Sequence, residues 1–223
     1  MSNCCIIVAG GTGLRMGTAL PKQFLPLNGI PVLMHTIRNF YKFDPQLLII
    51  IVIPENEIKN WEYLCKQHKF EIPHQLIAGG ATRFQSVKNG LSLAQGCRLI
   101  AIHDGVRPLV SHETLERCFS CAAINGTAIP VIPANESLRE GNFNESVAVD
   151  RSRYFMVQTP QVFEASIIHK SYNQIFNSDF TDDASVAEHA GIKVILVMGN
   201  YENIKITFPQ DIKIAERLLI PKE

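Results

Sequence analysis

The chain has 223 residues, of which 46% are hydrophobic and 19% charged, so it is long enough for one α/β domain with a sizeable core, spanning residues 1–223, and its balance argues against disorder. Twenty-one basic and 21 acidic side chains cancel, which excludes nucleic acid or an anionic membrane surface as the expected partner, because both select a concentrated positive field. The longest apolar run, Leu47 to Ile53, is far below the roughly 20 residues needed to cross a bilayer.

Cys4 to Val8 is an apolar run that predicts a short buried strand, and the stretch from Ala9 to Gly17 that follows is rich in glycine. Glycine lets successive backbone N–H groups converge on an anion, so the loop is read as a polyphosphate cradle, flanked by the cations Arg15 and Lys22. Pro31 to Tyr41 repeats apolar residues at helical spacing, and Leu47 to Ile53 is a continuous aliphatic run of the kind buried on both faces of a parallel sheet. A helix over 55–69, a strand over 74–78, a helix over 82–94 and a strand over Leu99 to His103 follow. Next come a helix capped by Ser111 and a strand over 126–132. This alternation predicts a three-layer sandwich around a mostly parallel sheet.

The alternation breaks between Pro133 and Gln158, where two short polar-apolar strands flank a turn. By pattern alone this segment is either a surface hairpin or an arm that pairs with a second subunit. Helices are predicted again over 164–176 and 183–190, then a strand over 194–197, a short strand over Ile204 to Thr207 and a last helix over 209–219. The six cysteines have no signal peptide before them and are expected as free thiols in a reducing cytoplasm. Cys118-Phe-Ser-Cys121 is a lone C-x-x-C on a helix and is read as core packing, since a second pair to complete a zinc site is missing.

Ligands of open α/β sheets bind beyond the carboxyl ends of the strands. On that rim the predicted strand ends collect the glycine loop with Arg15 and Lys22, then Gly80, Arg83 and Ser86, then Asp104 and Arg107. Four cations there, in a chain without net charge, mark an anion site. A P-loop is excluded because no lysine follows the last glycine directly. The dinucleotide fingerprint is excluded because the third glycine comes one place late and no acidic residue stands at the required distance. The histidines lack zinc-ligand spacing, and His103 is read as oriented by the strand end instead of as a catalytic base. The metal that suits such a site is Mg²⁺ held mainly by substrate phosphates, with Asp104 the candidate helper.

Ala9-Gly10-Gly11-Thr12-Gly13-Leu14-Arg15-Met16-Gly17 with Pro21-Lys22-Gln23-Phe24 resembles the signature of sugar-phosphate nucleotidyltransferases. With Gly79 to Ser86, His103 to Pro108, Asp150-Arg151, Gln158 to Gln161, Thr181 to Ser185 and Asn203 to Thr207, the chain is similar over its whole length to the methylerythritol-phosphate cytidylyltransferases of the non-mevalonate isoprenoid pathway. The resemblance implies a Rossmann-like sheet with a protruding β-arm and transfer of CMP from CTP to 2-C-methyl-D-erythritol 4-phosphate with divalent Mg²⁺. It implies that Arg15 and Lys22 are the transition-state cations, and that Ala9, Gly10, Gly11, Thr12 and Gly13 hold the nucleotide together with Gly80, Arg83, Ser86 and Asp104. Arg107, Ser137, Arg151, Thr159, Thr181 and Lys205 then address the polyol phosphate. It also implies a homodimer in which the arm, at about 133–158, completes the neighbour's site. Gly105-Val106 stands where the family often has two alanines, and Glu136-Ser137 where it often has aspartate and threonine. A ribitol-5-phosphate cytidylyltransferase resembles this family over the same length and stays open, as does a non-catalytic nucleotide-binding regulator.

Overall fold

A computed structural model describes residues 2–11 and 20–219. Eight strands form the main sheet in the order β10-β7-β11-β6-β1-β4-β5, with β12 on the outer edge of β7. These strands are β1 (Cys4–Val8), β4 (Leu48–Ile53), β5 (Gln75–Ala78), β6 (Leu99–Asp104), β7 (Thr127–Pro133), β10 (Phe155–Val157), β11 (Gln161–Glu164) and β12 (Leu196–Met198). The hairpin strands β2 (Pro26–Leu27) and β3 (Ile30–Pro31) pair with each other, as do β8 (Leu138–Gly141) and β9 (Ser146–Val149).

The predicted parallel core is present: β1 runs parallel to both β4 and β6, and β4 parallel to β5. Successive residues of a strand point to opposite faces, and both faces are covered. Cys5, Ile7, Ile49 and Ile51 meet Leu33, Ile37 and Phe40 of α1 (Val32–Phe43), Trp61 of α2 (Ile58–Gln67) and Leu115 of α4 (His112–Asn125). Cys4, Ile6, Ile50 and Val52 meet Phe84, Val87 and Leu91 of α3 (Arg83–Leu93), Ile168 of α5 (Ala165–Ser171) and Val186 of α6 (Asp183–His189). That double burial is why β4 reads as an uninterrupted aliphatic run. Cys118 lies in the first of these layers with Cys121 against it. A third, smaller cluster joins Leu27, Val32, Val106 and Ile206 to Ala215 of α7 (Pro209–Leu218).

Two expectations need correction, and the mostly parallel sheet holds strands that were not predicted. Ile204 to Thr207 joins no strand; the Ile206 N–H donates to the Val106 carbonyl at 2.9 Å without extending into a ladder. The helix predicted over 164–176 ends at Ser171. The parallel sheet also carries antiparallel strands the pattern did not announce, because β10 and β11 each have only three or four residues. β10 and β11 are two halves of one run along β7. Val162 faces Ala128 and Val157 faces Val131, five residues against three, so the run bulges by two residues at Gln158-Thr159-Pro160. The predicted excursion is the β8–β9 hairpin, paired from Leu138–Val149 to Gly141–Ser146 outside the main sheet.

Candidate functional site

The carboxyl ends of β1, β5 and β6 open on one rim, as the sheet rule requires. Ala9 leaves β1 with its N–H on the Val52 carbonyl (2.8 Å), and its own carbonyl takes the Gln23 amide at 2.7 Å. Gln23 is wholly buried, so it ties the first-strand exit to the short turn Lys22–Phe24 and places Lys22 beside Gly11. A side chain on Gly11 would press on the Lys22 Cε at 3.3 Å. At β6, a Cβ on Gly105 would come within 2.8 Å of that of Ala9, so glycine lets the two strand exits touch. The bulk moves one residue on, to Val106, which is buried against Ile206.

Ser86 in the first turn of α3 closes the β5 exit. Its oxygen accepts the Gly80 N–H at 3.0 Å while its proton goes to the Thr82 carbonyl at 2.9 Å. Thr82 caps the helix through the Gln85 N–H. The neighbouring Arg83 is held end-on by Asp183, with Nη1 and Nη2 at 2.8 and 2.6 Å from the two carboxylate oxygens, and the Tyr172 hydroxyl donates to the same carboxylate at 2.6 Å. Burial works against the Arg83 charge, but Asp183 outweighs it and keeps the guanidinium firmly protonated.

Asp104 is the hub. Lys205 Nζ lies 3.0 Å and Arg107 Nε 3.2 Å from its Oδ2, with Arg83 Nε 3.9 Å from Oδ1. Burial alone would raise the pKa of this carboxyl, yet Lys205, Arg83 and Arg107 together hold it well below the usual carboxylate range. Lys205 reaches this position without a ladder. The buried Asn203 donates from Nδ2 to the Thr159 carbonyl at 2.9 Å, and its own carbonyl accepts from Arg107 Nη1 at 2.8 Å, so the segment is plugged into the bulge between β10 and β11.

Two clefts share the wall Arg83–Asp104–Lys205. The first, about 240 Å³, runs over Ala9, Gly10, Gly11 and Lys22 to Gly80 and Ser86. The second, about 280 Å³, is bounded by Arg107, Thr159, Thr181 and Asp182. The predicted residues Ala9, Gly10, Gly11, Lys22, Gly80, Arg83, Ser86, Asp104, Arg107, Thr159, Thr181 and Lys205 are therefore brought together. Thr12, Gly13 and Arg15 lie outside the described residues. Ser137 and Arg151 line neither cleft; they sit at the arm, where Arg151 Nη1 donates to the Asn135 carbonyl.

Sequence reasoning assigned no role to Gln23, Gln161, Asp183 or Asn203, all fully buried polar side chains at the site. Gln161 donates to Asp182 (2.7 Å) and accepts from the Ala184 N–H (2.7 Å), seating α6 behind Arg83. A signal was available for Gln161 alone, a polar residue beside the apolar Val162 and Phe163 of β11, which marks a buried hydrogen-bonding role but not its partner. Among the described residues no three His, Cys, Asp or Glu side chains gather into a metal cage, and Asp104 is the one carboxylate of the first cleft. That donor set suits a hard cation arriving on a polyphosphate. No described helix is long and apolar enough to cross a membrane.

Comparison with known proteins agrees with this geometry. The profile of the family described as 2-C-methyl-D-erythritol 4-phosphate cytidylyltransferase matches residues 3–220. Proteins of that name from Bacteroides fragilis and Bacteroides thetaiotaomicron are each 51% identical over 219 residues, covering 98% of this chain and 100% of theirs. The crystal structure of 4-diphosphocytidyl-2C-methyl-D-erythritol synthase from Anaerococcus prevotii superposes with a TM-score of 0.83 at 27% identity, covering 98% of this chain and 96% of that one. With a family profile matched over residues 3–220, relatives covered along their whole length and a shared fold, the chain belongs to the 2-C-methyl-D-erythritol 4-phosphate cytidylyltransferase family.

Proposed function

We propose that the chain transfers CMP from CTP to 2-C-methyl-D-erythritol 4-phosphate, releasing pyrophosphate. The observation that carries this reading is the pair of clefts divided by Arg83, Asp104 and Lys205, one lined by Ala9, Gly10, Gly11 and Lys22, the other edged by Arg107. A phosphate-monoester oxygen attacks the α-phosphorus of the triphosphate. One P–O bond forms as the bond to the β-phosphate oxygen breaks, and the electron pair leaves on pyrophosphate. The nucleophile is already an anion, so the protein needs no general base; it needs in-line positioning and cations where charge grows.

Lys22, with Arg15, is assigned to the transferring phosphoryl group and the leaving pyrophosphate, and the loop from Ala9 to Gly13 to the triphosphate and base. Lys205, already 3.0 Å from Asp104, and Arg107 are assigned to the acceptor side. Asp104 holds those cations apart in fixed directions and, with Gly80, Arg83 and Ser86, shapes the nucleotide end. Thr159 and Thr181 edge the polyol. A Mg²⁺ ion carried on the triphosphate would screen its charge, and Asp104 is the residue that would help hold it.

The arm is assigned to a homodimer in which Ser137 and Arg151 serve the neighbouring subunit's second cleft. What supports this is their absence from their own clefts and the apolar exposure of the surrounding surface: Phe143 is fully open, and Phe155, Met156 and Val157 of β10 are nearly half exposed. Pyrophosphate release measured with CTP and methylerythritol phosphate, against ribitol 5-phosphate in parallel, tests the reading. Preference for the methylerythritol substrate is expected. Turnover with ribitol phosphate alone, or none with either, overturns it.

A further inference from the structure

Behind the second cleft lies an imidazole that the proposed reaction does not use. His103 is fully buried at the end of β6, edge-on to Phe40 at 4.9 Å between ring centroids. Its Nε2 is 3.0 Å from the Arg107 carbonyl, and its Nδ1 is 3.0 Å from the Thr159 hydroxyl. A carbonyl can only accept, so Nε2 carries the proton; in the neutral ring that burial favours, Nδ1 is the bare nitrogen, and Thr159 donates to it. The Thr159 oxygen in turn accepts the Asp104 N–H at 3.0 Å. The direction of every bond in the chain from Asp104 N–H through Thr159 and His103 to the Arg107 carbonyl is thus fixed by donor and acceptor chemistry.

We propose that His103 is a positioning residue for the acceptor substrate: the neutral Nε2–H imidazole locks the bulge at Thr159 to the turn that carries Arg107, and thereby sets two of the residues that line the second cleft. One consequence concerns Thr159 itself. Its single proton is committed to His103, so the hydroxyl has no hydrogen to offer a phosphate, which is an acceptor only. Thr159 acts on the anion side of the cleft through placement, and the cation Arg107 does the holding. The glycine loop of the first cleft depends on neither bond, since Gln23 and Ser86 hold it; the first cleft meets the chain of bonds only at the shared wall residue Asp104, which β6 also holds through its pairing with β1. This inference rests on the proposed two-substrate reaction.

The test is steady-state kinetics of His103→Phe, His103→Gln and Thr159→Val beside the wild type. His103→Phe keeps the ring volume and removes both bonds; Thr159→Val keeps shape and removes only the hydroxyl; His103→Gln restores an amide donor for the Arg107 carbonyl. Expected are a tenfold or greater rise in KM for the polyol phosphate in His103→Phe and Thr159→Val, a KM for CTP within twofold of wild type, and recovery of most of the loss in His103→Gln. The double variant His103→Phe/Thr159→Val should be no worse than either single, because both break one chain of bonds. Equal rises in both KM values, an unshifted polyol KM in Thr159→Val, or additive losses overturn the proposal. Should His103→Phe fail to fold, the isosteric Thr159→Val still decides it through the same KM ratio. A wild type that does not turn over at all instead overturns the two-substrate reading beneath it.

Discussion

Replacing Asp183 with asparagine probes the rigid wall between the clefts. Asp183 is fully buried and takes two bonds from Arg83, at 2.8 and 2.6 Å, and one from Tyr172 at 2.6 Å. Asparagine retains one acceptor oxygen and points an NH₂ at the guanidinium or the phenol, so one charge-assisted bond is lost outright and Arg83 loses its counter-ion. Breaking a buried pair by removing one partner costs about 3–5 kcal/mol, and the low end applies because the Arg83 side chain keeps 30% of its surface open to water. For a chain of this size, each kcal/mol moves Tm by roughly 2–4 °C, so the loss of about 3 kcal/mol should lower Tm by about 6–12 °C. Thermal unfolding followed by circular dichroism measures it. The double variant Arg83→Met/Asp183→Asn should melt well above the sum of the single losses, since the orphaned cation is gone. A drop below about 2 °C in Asp183→Asn, or strict additivity in the double variant, would refute the claim that Asp183 neutralises and fixes Arg83.

Lys22→Ala should reduce pyrophosphate release roughly a hundredfold, about 3 kcal/mol of transition-state stabilisation by analogy with a lost oxyanion donor, with Tm nearly unchanged; near-normal turnover would remove Lys22 from the assigned role. An Arg15→Ala chain mixed with an Arg151→Ala chain should regain partial activity if the arm serves the neighbouring subunit, and no recovery despite demonstrated subunit exchange would show that each chain builds its site alone. Acid should loosen the fold in two stages. Burial, the largest influence, lowers the His103 pKa from 6.5 to about 4, so the unfolded chain binds the proton first and stability falls as pH drops from 6.5 towards 4. At about 1.36 kcal/mol per unit, that is about 3 kcal/mol lost across the window. Asp104, depressed below its ordinary 3.8, adds its share only below that value. His103→Gln should lose distinctly less Tm between pH 7 and 4 than the wild type; an identical loss would assign the acid sensitivity elsewhere.

Much of this protein was legible as sequence because the governing physics is local or periodic. The aliphatic run of β4 announces burial on both faces, the Ser111 cap and its helix follow from side-chain to backbone bonding within three residues, and glycines after β1 mark an anion loop wherever a strand ends. The rim itself was also legible, because parallel strands place their carboxyl ends on one edge of a sheet. That is how Lys22, Gly80, Arg83, Asp104 and Arg107 could be gathered before any coordinate was known.

What only the tertiary structure decided were partnerships between residues far apart in the chain. Lys205 belongs to no strand; it reaches Asp104 because Asn203 plugs a bulge 44 residues earlier, and a pattern of alternating apolar residues cannot tell such a plug from a ladder. Arg83 looked like another cation for phosphate until Asp183, 100 residues on, took its charge. Thr159, placed at the polyol phosphate by resemblance alone, has its hydroxyl 3.0 Å from His103 Nδ1, 56 residues earlier. Composition and spacing determine which groups stand on the rim, through the short-range geometry of strands, caps and glycines. Which of those charges and protons remain for a ligand depends on long-range hydrogen-bond pairing, and only the folded chain sets that.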